Sequence, residues 1–485
     1  MYIDGEFRDA QKTITSINPC SEEVIADFPK ATEGDLKDAI RAARRAFDKG
    51  TWPQLRLEER ASYLTKIAAL IREEAFDLAE LETKDTGKTT KQTTFIDIPV
   101  AADAYDYFAS AAKEVKGETL SIPAAALSYT VKEPVGVVGA IIPWNYPFLM
   151  AAWKIASSII LGNTVVFKPS QYASLSCLAL AKIFDTAGLP KGVVNIITGT
   201  GREVGMGIAQ SPDIDMVSFT GSTESGREIM KAAAVNIKKL ALELGGKSAN
   251  IVFADCDLDA AIGGTLSAIF MNQGQMCVAG SRLLLQDSIY EKFIALLIEK
   301  TKKLKIGDSR APDTDIGALI SKQQQTDVLG YVAIGKKEAK LLCGGKIPDG
   351  FAKGFYVEPT IFGEVNNNMR IAQEEIFGPV LSVIKFSSIE EAVTIANDTP
   401  YGLAAMVWTK DLAKAHDVSK RLRCGTVWVN TYGGFYNEAP FGGYKQSGIG
   451  RELGKEGLLE HTETKHINID LSPGGKSLVT NWFSV

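Results

Sequence analysis

Short apolar runs alternate with helix-like segments along this chain, and that alternation restricts its fold more than any other feature. Runs at residues 135–142, 164–167, 193–197, 216–219, 239–243 and 250–253 are separated by segments such as 174–187 and 225–234. Repeated strand–helix units imply a parallel, doubly wound sheet, because each strand must be reached by a crossover that lays a helix on one face. A second series follows from Arg282, with strands near 283–285, 380–386, 403–407 and 426–429. The expectation is an α/β protein with two such domains. Upstream, residues 58–84 are amphipathic and end at Thr86-Gly87, which predicts one or two helices with a glycine stop.

Composition narrows the function classes. A chain of 485 residues, 45% hydrophobic and 23% charged, is long enough for two or three domains with full cores. A formal net charge of −5, with Lys and Arg dispersed, gives no pull toward nucleic acid. The first residues carry acids where a signal peptide needs a cationic end, and no uncharged apolar run reaches the roughly 18–20 residues that span a bilayer. A cytoplasmic protein with no membrane partner is expected. Six scattered cysteines without a CxxC pair fit a reducing compartment, and three histidines without a Cys/His cluster predict no metal site.

Cys277 is the first candidate for chemistry. It lies in the polar, glycine-broken stretch 272–282, after an apolar helix-like run at 260–270. A nucleophilic thiolate needs backbone donors, some solvent access and a base within reach, which a loop supplies more easily than a packed core. A buried structural thiol is the other reading, and Cys177, Cys343 and Cys424, each set in an apolar or strand-like pattern, read that way. The local surroundings of Cys277 leave both readings open.

The first series also carries marks of a nucleotide site. Ligands of open α/β sheets sit beyond the carboxyl ends of strands, where glycines let phosphate approach backbone amides at a helix start. The loops 199–205 and 219–226 each follow a strand and lead into a helix-like segment, although neither is a strict GxGxxG pattern. Lys168 ends a third strand, placed to meet ribose hydroxyls or phosphate. Plain turns and a solvated surface lysine are the alternatives.

Taken together, the segments 143–147 (Pro-Trp-Asn-Tyr-Pro), 167–170 (Phe-Lys-Pro-Ser), 219–222 (Phe-Thr-Gly-Ser), 242–247 (Leu-Glu-Leu-Gly-Gly-Lys), 274–277 (Gly-Gln-Met-Cys), 374–379 (Glu-Glu-Ile-Phe-Gly-Pro) and 440–448 (Pro-Phe-Gly-Gly-Tyr-Lys-Gln-Ser-Gly) resemble the NAD(P)-dependent aldehyde dehydrogenases, in that family's order and across nearly the whole chain. The resemblance is to the non-acylating members, nearest the betaine aldehyde and aminoaldehyde branch. It implies a Rossmann-like NAD(P)-binding domain from 1–117 and 137–245, an α/β catalytic domain at 246–459, and a small β oligomerisation arm from 118–136 and 460–485. Segment 126–133 alternates apolar and polar residues, and an exposed strand of that kind wants a partner edge. A homodimer or homotetramer is implied.

The resemblance also assigns roles. Cys277 is the nucleophile toward an aldehyde, Asn145 the oxyanion donor and Glu243 the general base for thioester hydrolysis, with Lys154 and Glu452 as a proton-relay pair that could equally be a structural ion pair. Glu243 speaks against the coenzyme A-acylating semialdehyde dehydrogenases, which generally lack it. Trp144, Lys168, Ser170, Gln171, Gly201, Gly221, Ser222, Leu244, Glu375 and Phe377 fall on cofactor positions. Gln171 stands where many NAD-preferring members have glutamate, and a neutral side chain removes the repulsion of a 2′-phosphate, so NADP is admitted beside NAD. Tyr146 and Trp153 match two aromatics of a trimethylammonium box, and Phe441 faces the same substrate space. Met271 and Phe441 stand where the betaine enzymes carry tryptophans, so an apolar tunnel is the competing reading. A thiol hydrolase would also use Cys277, but its base is normally histidine, and all three histidines lie late in the chain.

Overall fold

The computed structural model describes residues 1–475 and 482, and the part of the expected arm at 476–481 and 483–485 lies outside the described residues. The expected strands form two sheets. In the first, the strands Lys239–Glu243, Met216–Thr220, Val137–Ile141, Thr164–Lys168 and Val194–Ile196 lie side by side in that order, all parallel. Their near-continuous burial explains why they read as apolar runs rather than alternating ones. In the second, Thr360–Gly363, Val380–Phe386, Arg282–Gln286, Ala249–Val252, Ala404–Trp408 and Thr426–Val429 are likewise parallel.

The sheet edges were not foreseen. Tyr2–Ile3 pairs antiparallel with Val194–Ile196 and carries Glu6–Phe7 outside it in the first sheet, and Lys340–Cys343 pairs antiparallel on the outside of the second. Gly448–Ile449, from late in the chain, pairs with Leu242 and Glu243 and closes the other edge of the first sheet. Two- to four-residue strands carry too little periodicity to be read from sequence. The segment 58–84 becomes two helices, Leu57–Glu73 and Ala75–Thr86, and Gly87 caps the second in the left-handed region at φ 76°. In the segment expected to form an arm, Ala126–Pro134 is not an open edge. It lies between Thr462–Asp470, paired residue for residue, and Thr119–Leu120, so its alternating pattern is answered within the chain. Among the described residues no helix is long and apolar enough to cross a membrane, and no group of His, Cys, Asp and Glu could hold a metal.

Spatial order in the first sheet reverses between Val137–Ile141 and Met216–Thr220, since the chain moves outward on one side and then returns to the other. Loops that leave such a switch point diverge and open a crevice. Pro143–Asn145 and Gly221–Ser222 are those loops. Behind them, the helix Pro147–Ile160 is buried along its whole length.

One ionic cluster lies in the layer beneath this crevice. Lys88 is fully buried, pairs with Glu82 at 3.1 Å and with Asp97, and stands 4.4 Å over the Tyr146 ring. Removing the cation leaves two carboxylates buried together. Lys88→Met is expected to cost about 3–5 kcal/mol, read as a fall in the urea midpoint, and an unchanged midpoint would show that the cluster contributes nothing to stability.

Candidate active site

The loop that carries Cys277 is held in an uncommon shape. Asn272, Gln273 and Gly274 lie consecutively in the left-handed region, at φ 49°, 57° and 72°. For the two non-glycine residues this costs of order 1–3 kcal/mol each, and it persists only because the surroundings over-determine it. Asn272 Nδ2 donates to the carbonyls of Asn145 and Gln275, both at 3.2 Å, and Gln275 Oε1 accepts from Ile320 N at 3.0 Å. A Cβ on Gly274 would stand 2.2 Å from the Gly378 carbonyl oxygen. The chain then turns at Met276–Ala279, closed by Ala279 N to Met276 O at 3.0 Å, and enters the strand Arg282–Gln286.

Cys277 lies where two cavities meet. One, of about 230 Å³, is the crevice at the switch point, lined by Trp144, Asn145, Gly221, Ser222, Leu244, Glu375 and Phe377 among others. The second, of about 150 Å³, is walled by Tyr146, Trp153, Phe441 and further apolar side chains. Cys277 and Met150 line both, and of the two only Cys277 is a nucleophile. Burial pushes its thiol pKa up, the charges of Glu375 and Glu243 push further, and the backbone N–H groups of Cys277 and Val278 pull back.

Asn145 is buried, and its Nδ2 donates to Gln275 O at 2.9 Å, which fixes the amide and leaves its second N–H. Glu243 ends its strand, buried, with neither carboxylate oxygen hydrogen-bonded. Its pKa is raised well above the usual range, by burial first and then by Glu452. Gly442 makes room for it, since a Cβ there would lie 2.6 Å from Glu243 Oε1. Lys154 is buried against Glu452 as an ion pair, and its Nζ donates to Ser218 Oγ at 3.1 Å.

Glu375 Oε1 accepts from Gly246 N at 2.9 Å, and burial raises the Glu375 pKa to about 7. The Trp144 and Phe377 rings meet edge to face at 5.3 Å. Phe377 holds φ 54°, rare for a bulky residue, and its carbonyl accepts from Gln324 Nε2 at 2.9 Å. Ser222 caps the helix Thr223–Ala233 by accepting from Ser225 N. Lys168, Ser170, Gln171 and Gly201 line neither cavity. They stand farther out at the carboxyl ends of neighbouring strands, where Lys168 is buried, its Nζ donates to Pro169 O at 2.9 Å, and burial lowers its pKa to about 8.

Several wall residues were not anticipated. Gln324, Thr220 and Met150 line the crevice, and Tyr432 and Phe435 join Trp153 and Phe441 in a continuous aromatic wall, with Phe435 5.4 Å from Phe441 and 6.3 Å from Trp153. The aromatic, glycine-rich run 432–436 was the signal available for the last two. Tyr146 differs from a free cation-binding ring, because Lys88 already lies over it and its hydroxyl accepts from Gln92 Nε2 at 2.9 Å.

Comparisons with known proteins agree with this geometry. The model of the aldehyde dehydrogenase family matches residues 7–467. A betaine aldehyde dehydrogenase of Bacillus subtilis is 48% identical, with 100% of this chain and 99% of that protein aligned. The mitochondrial aldehyde dehydrogenase of Homo sapiens is 44% identical, with 97% and 91% aligned. Among solved structures, an NAD+ complex of an aldehyde dehydrogenase from Bacillus cereus superposes with a TM-score of 0.95 at 44% identity, covering 97% of this chain and 96% of that one. A Staphylococcus aureus betaine aldehyde dehydrogenase in complex with NAD+ reaches 0.97 at 44% identity, covering 100% and 96%.

The electrostatics predict how Cys277 titrates in the free protein. Its alkylation by iodoacetamide should rise with pH to a midpoint above the ordinary thiol value of about 8.5. Glu243→Gln replaces a charge that opposes the thiolate by a neutral amide, so the midpoint should move down. An unmoved midpoint would mean that the two groups do not sense each other.

Proposed function

The chain belongs to the aldehyde dehydrogenase family, and from that premise we propose that it oxidises an aldehyde to the carboxylic acid with NAD through Cys277, Asn145 and Glu243. The observation that carries the assignment is that Cys277 is the one nucleophile common to the crevice and the apolar cavity.

The Cys277 thiolate attacks the aldehyde carbon, a C–S bond forms, and the carbonyl π pair moves to oxygen. The free N–H of Asn145 and the backbone N–H of Cys277 stabilise that oxyanion. NAD held in the crevice would supply the acceptor for the hydride that leaves this carbon, which would leave a thioester on Cys277. Glu243, raised in pKa and unpartnered, takes a proton from water. The hydroxide adds to the thioester, the C–S bond breaks, and acid and thiolate are released. Lys154 and Glu452 form a route by which the proton on Glu243 leaves. Water is therefore the acyl acceptor, and the coenzyme A-acylating alternative is not favoured.

The crevice fits a dinucleotide. It opens at the switch point, and Gly245 lets the Glu375 carboxylate approach where a Cβ would stand 2.3 Å from Oε2. Trp144, Gly221, Ser222, Leu244, Glu375 and Phe377 would hold the nicotinamide half, and Lys168, Ser170, Gln171 and Gly201 the adenosine half. Neutral Gln171 admits NADP beside NAD. We assign residues 1–117 and 137–245 to the cofactor domain, 246–459 to the catalytic domain, and 118–136 with 460–485 to an arm whose exposed Thr462–Asp470 edge supports a homodimer or homotetramer. Six free cysteines support a cytoplasmic setting. The aromatic wall favours, as a second reading, a trimethylammonium aldehyde, which has to share Tyr146 with Lys88.

Reduced nicotinamide is read at 340 nm. Asn145→Ala should lower kcat by about 10²–10³-fold. Glu243→Gln should still acylate, releasing a burst of about one reduced nicotinamide per site before a steady rate roughly 10²–10⁴-fold slower. A full steady rate in Glu243→Gln would remove Glu243 from the hydrolytic step.

A further inference from the structure

Residues 244–248 join the strand Lys239–Glu243 of the first sheet to Ala249–Val252 of the second, and they carry two polar groups that the mechanism above does not use. Lys247 is buried and its Nζ has no hydrogen-bond partner among the described residues, and the hydroxyl of the neighbouring Ser248 is buried and unpartnered as well. Both residues line one small cavity, of about 20 Å³, at the starts of the strands Ala249–Val252, Arg282–Gln286 and Ala404–Trp408. Arg282, also buried, lines it too, and the exposed Arg423 lines its solvent side. Among the described residues, three cations and no carboxylate form the walls. The hydrogen bonds of Arg282 all go to neutral oxygens, on Lys247, Asn367, Ile395 and Ala396. Asp398 acts on Arg282 only from a distance, its carboxylate accepting from Asn367 Nδ2 at 3.0 Å. A fourth cation, Lys445, donates to the carbonyls of two wall residues, Asn397 at 2.7 Å and Thr399 at 3.1 Å. Burial first, and then the charge of Arg282, lower the Lys247 pKa to about 7, while Glu375 and Glu374 act against them.

We propose that this cavity binds one small monovalent anion, chloride or another halide, between the Lys247 ammonium and the Arg282 guanidinium, with the Ser248 hydroxyl as a further donor. An ammonium taken out of water without a partner is costly, and a guanidinium beside it adds repulsion. A space of this size holds a single water-sized or halide-sized body and excludes phosphate and sulfate. Water satisfies the donors and leaves the charges facing each other, whereas an anion answers both. Arg423 at the solvent side draws an anion in. The bound ion fastens the crossing that sets Gly246 N against Glu375 to the starts of three strands of the second sheet. The site is independent of the chemistry assigned to Cys277.

Sodium bromide is the probe, used on the full chain in two ways. Crystals soaked in bromide should show an anomalous peak beside Lys247, Ser248 and Arg282. In solution, Tm is followed while bromide replaces gluconate at constant ionic strength, for the parent, Lys247→Met and Ser248→Ala. The parent should gain stability with the logarithm of bromide concentration once the dissociation constant is passed. Lys247→Met should lose that gain, and Ser248→Ala, which removes one hydrogen bond to the ion, should shift it to about tenfold or more higher bromide. Comparing parent with variants cancels the general effect of salt. Density without an anomalous peak means water and overturns the assignment. So does a bromide dependence equal in all three proteins, and so does a peak without any dependence in solution, which marks an adventitious ion only. If Lys247→Met does not fold, the parent crystal and the Ser248→Ala titration decide between these outcomes.

Discussion

Five residues, Leu244 to Ser248, carry the chain from the last parallel strand of the first sheet into the interior of the second, and the rest of the site depends on how closely other backbone approaches them. A Cβ on Gly246 would lie 2.2 Å from the Cys277 carbonyl oxygen, so only glycine lets the thiol-bearing loop reach this depth. The crossing backbone is nonetheless satisfied. Leu244 N donates to Ser447 O at 2.8 Å, Ser447 Oγ donates to Gly245 O at 2.7 Å, Gly246 N donates to Glu375, and Arg282 Nε donates to Lys247 O at 2.9 Å. Each of these partners comes from a different part of the sequence. Holding the crossing therefore brings Glu243, Cys277 and Glu375 together.

Most charges buried around this seam are paired, and Glu243 and Lys247, whose Nζ likewise lacks a hydrogen-bond partner, are not. Lys154 with Glu452, and Lys88 with Glu82 and Asp97, are buried but paired, as desolvation requires. Glu243 is buried with both oxygens unpartnered, so it takes the neutral form more readily than an ordinary carboxyl. A carboxyl with a raised pKa and free lone pairs can accept a proton from a nearby donor near neutral pH, which a paired carboxylate cannot. Cys277 experiences the same low-dielectric surroundings and is disfavoured as thiolate until a compensating interaction arrives.

Much of the fold was legible because inner parallel strands are buried on both faces and write themselves as apolar runs. The strands at 239–243, 380–386 and 426–429 have the bounds that the sequence pattern suggests. The edges were not legible. Gly448–Ile449 is two residues long, and it joins the first sheet through contacts some 200 positions away in the chain. The aromatic wall shows the same division. Tyr146 and Trp153 sit in a recognisable segment, whereas Tyr432 and Phe435 come from an irregular loop whose direction no local rule sets. That Lys88 occupies a face of Tyr146 follows from packing between a helix end and a π-helical turn, neither of which carries a periodic signal.

The sequence by itself determined the α/β class, the two series of strands and the residue types needed for thiol chemistry, because hydrophobic period and glycine placement act over a few neighbouring residues. Tertiary structure alone decided that Cys277 stands between two cavities, that Glu243 lacks a hydrogen-bond partner and that Ile96 and Met271 line both the inner cavity and an outer groove. Those facts depend on distances between segments remote in the chain, which are set by how two sheets and their helices close around a five-residue crossing rather than by any local preference.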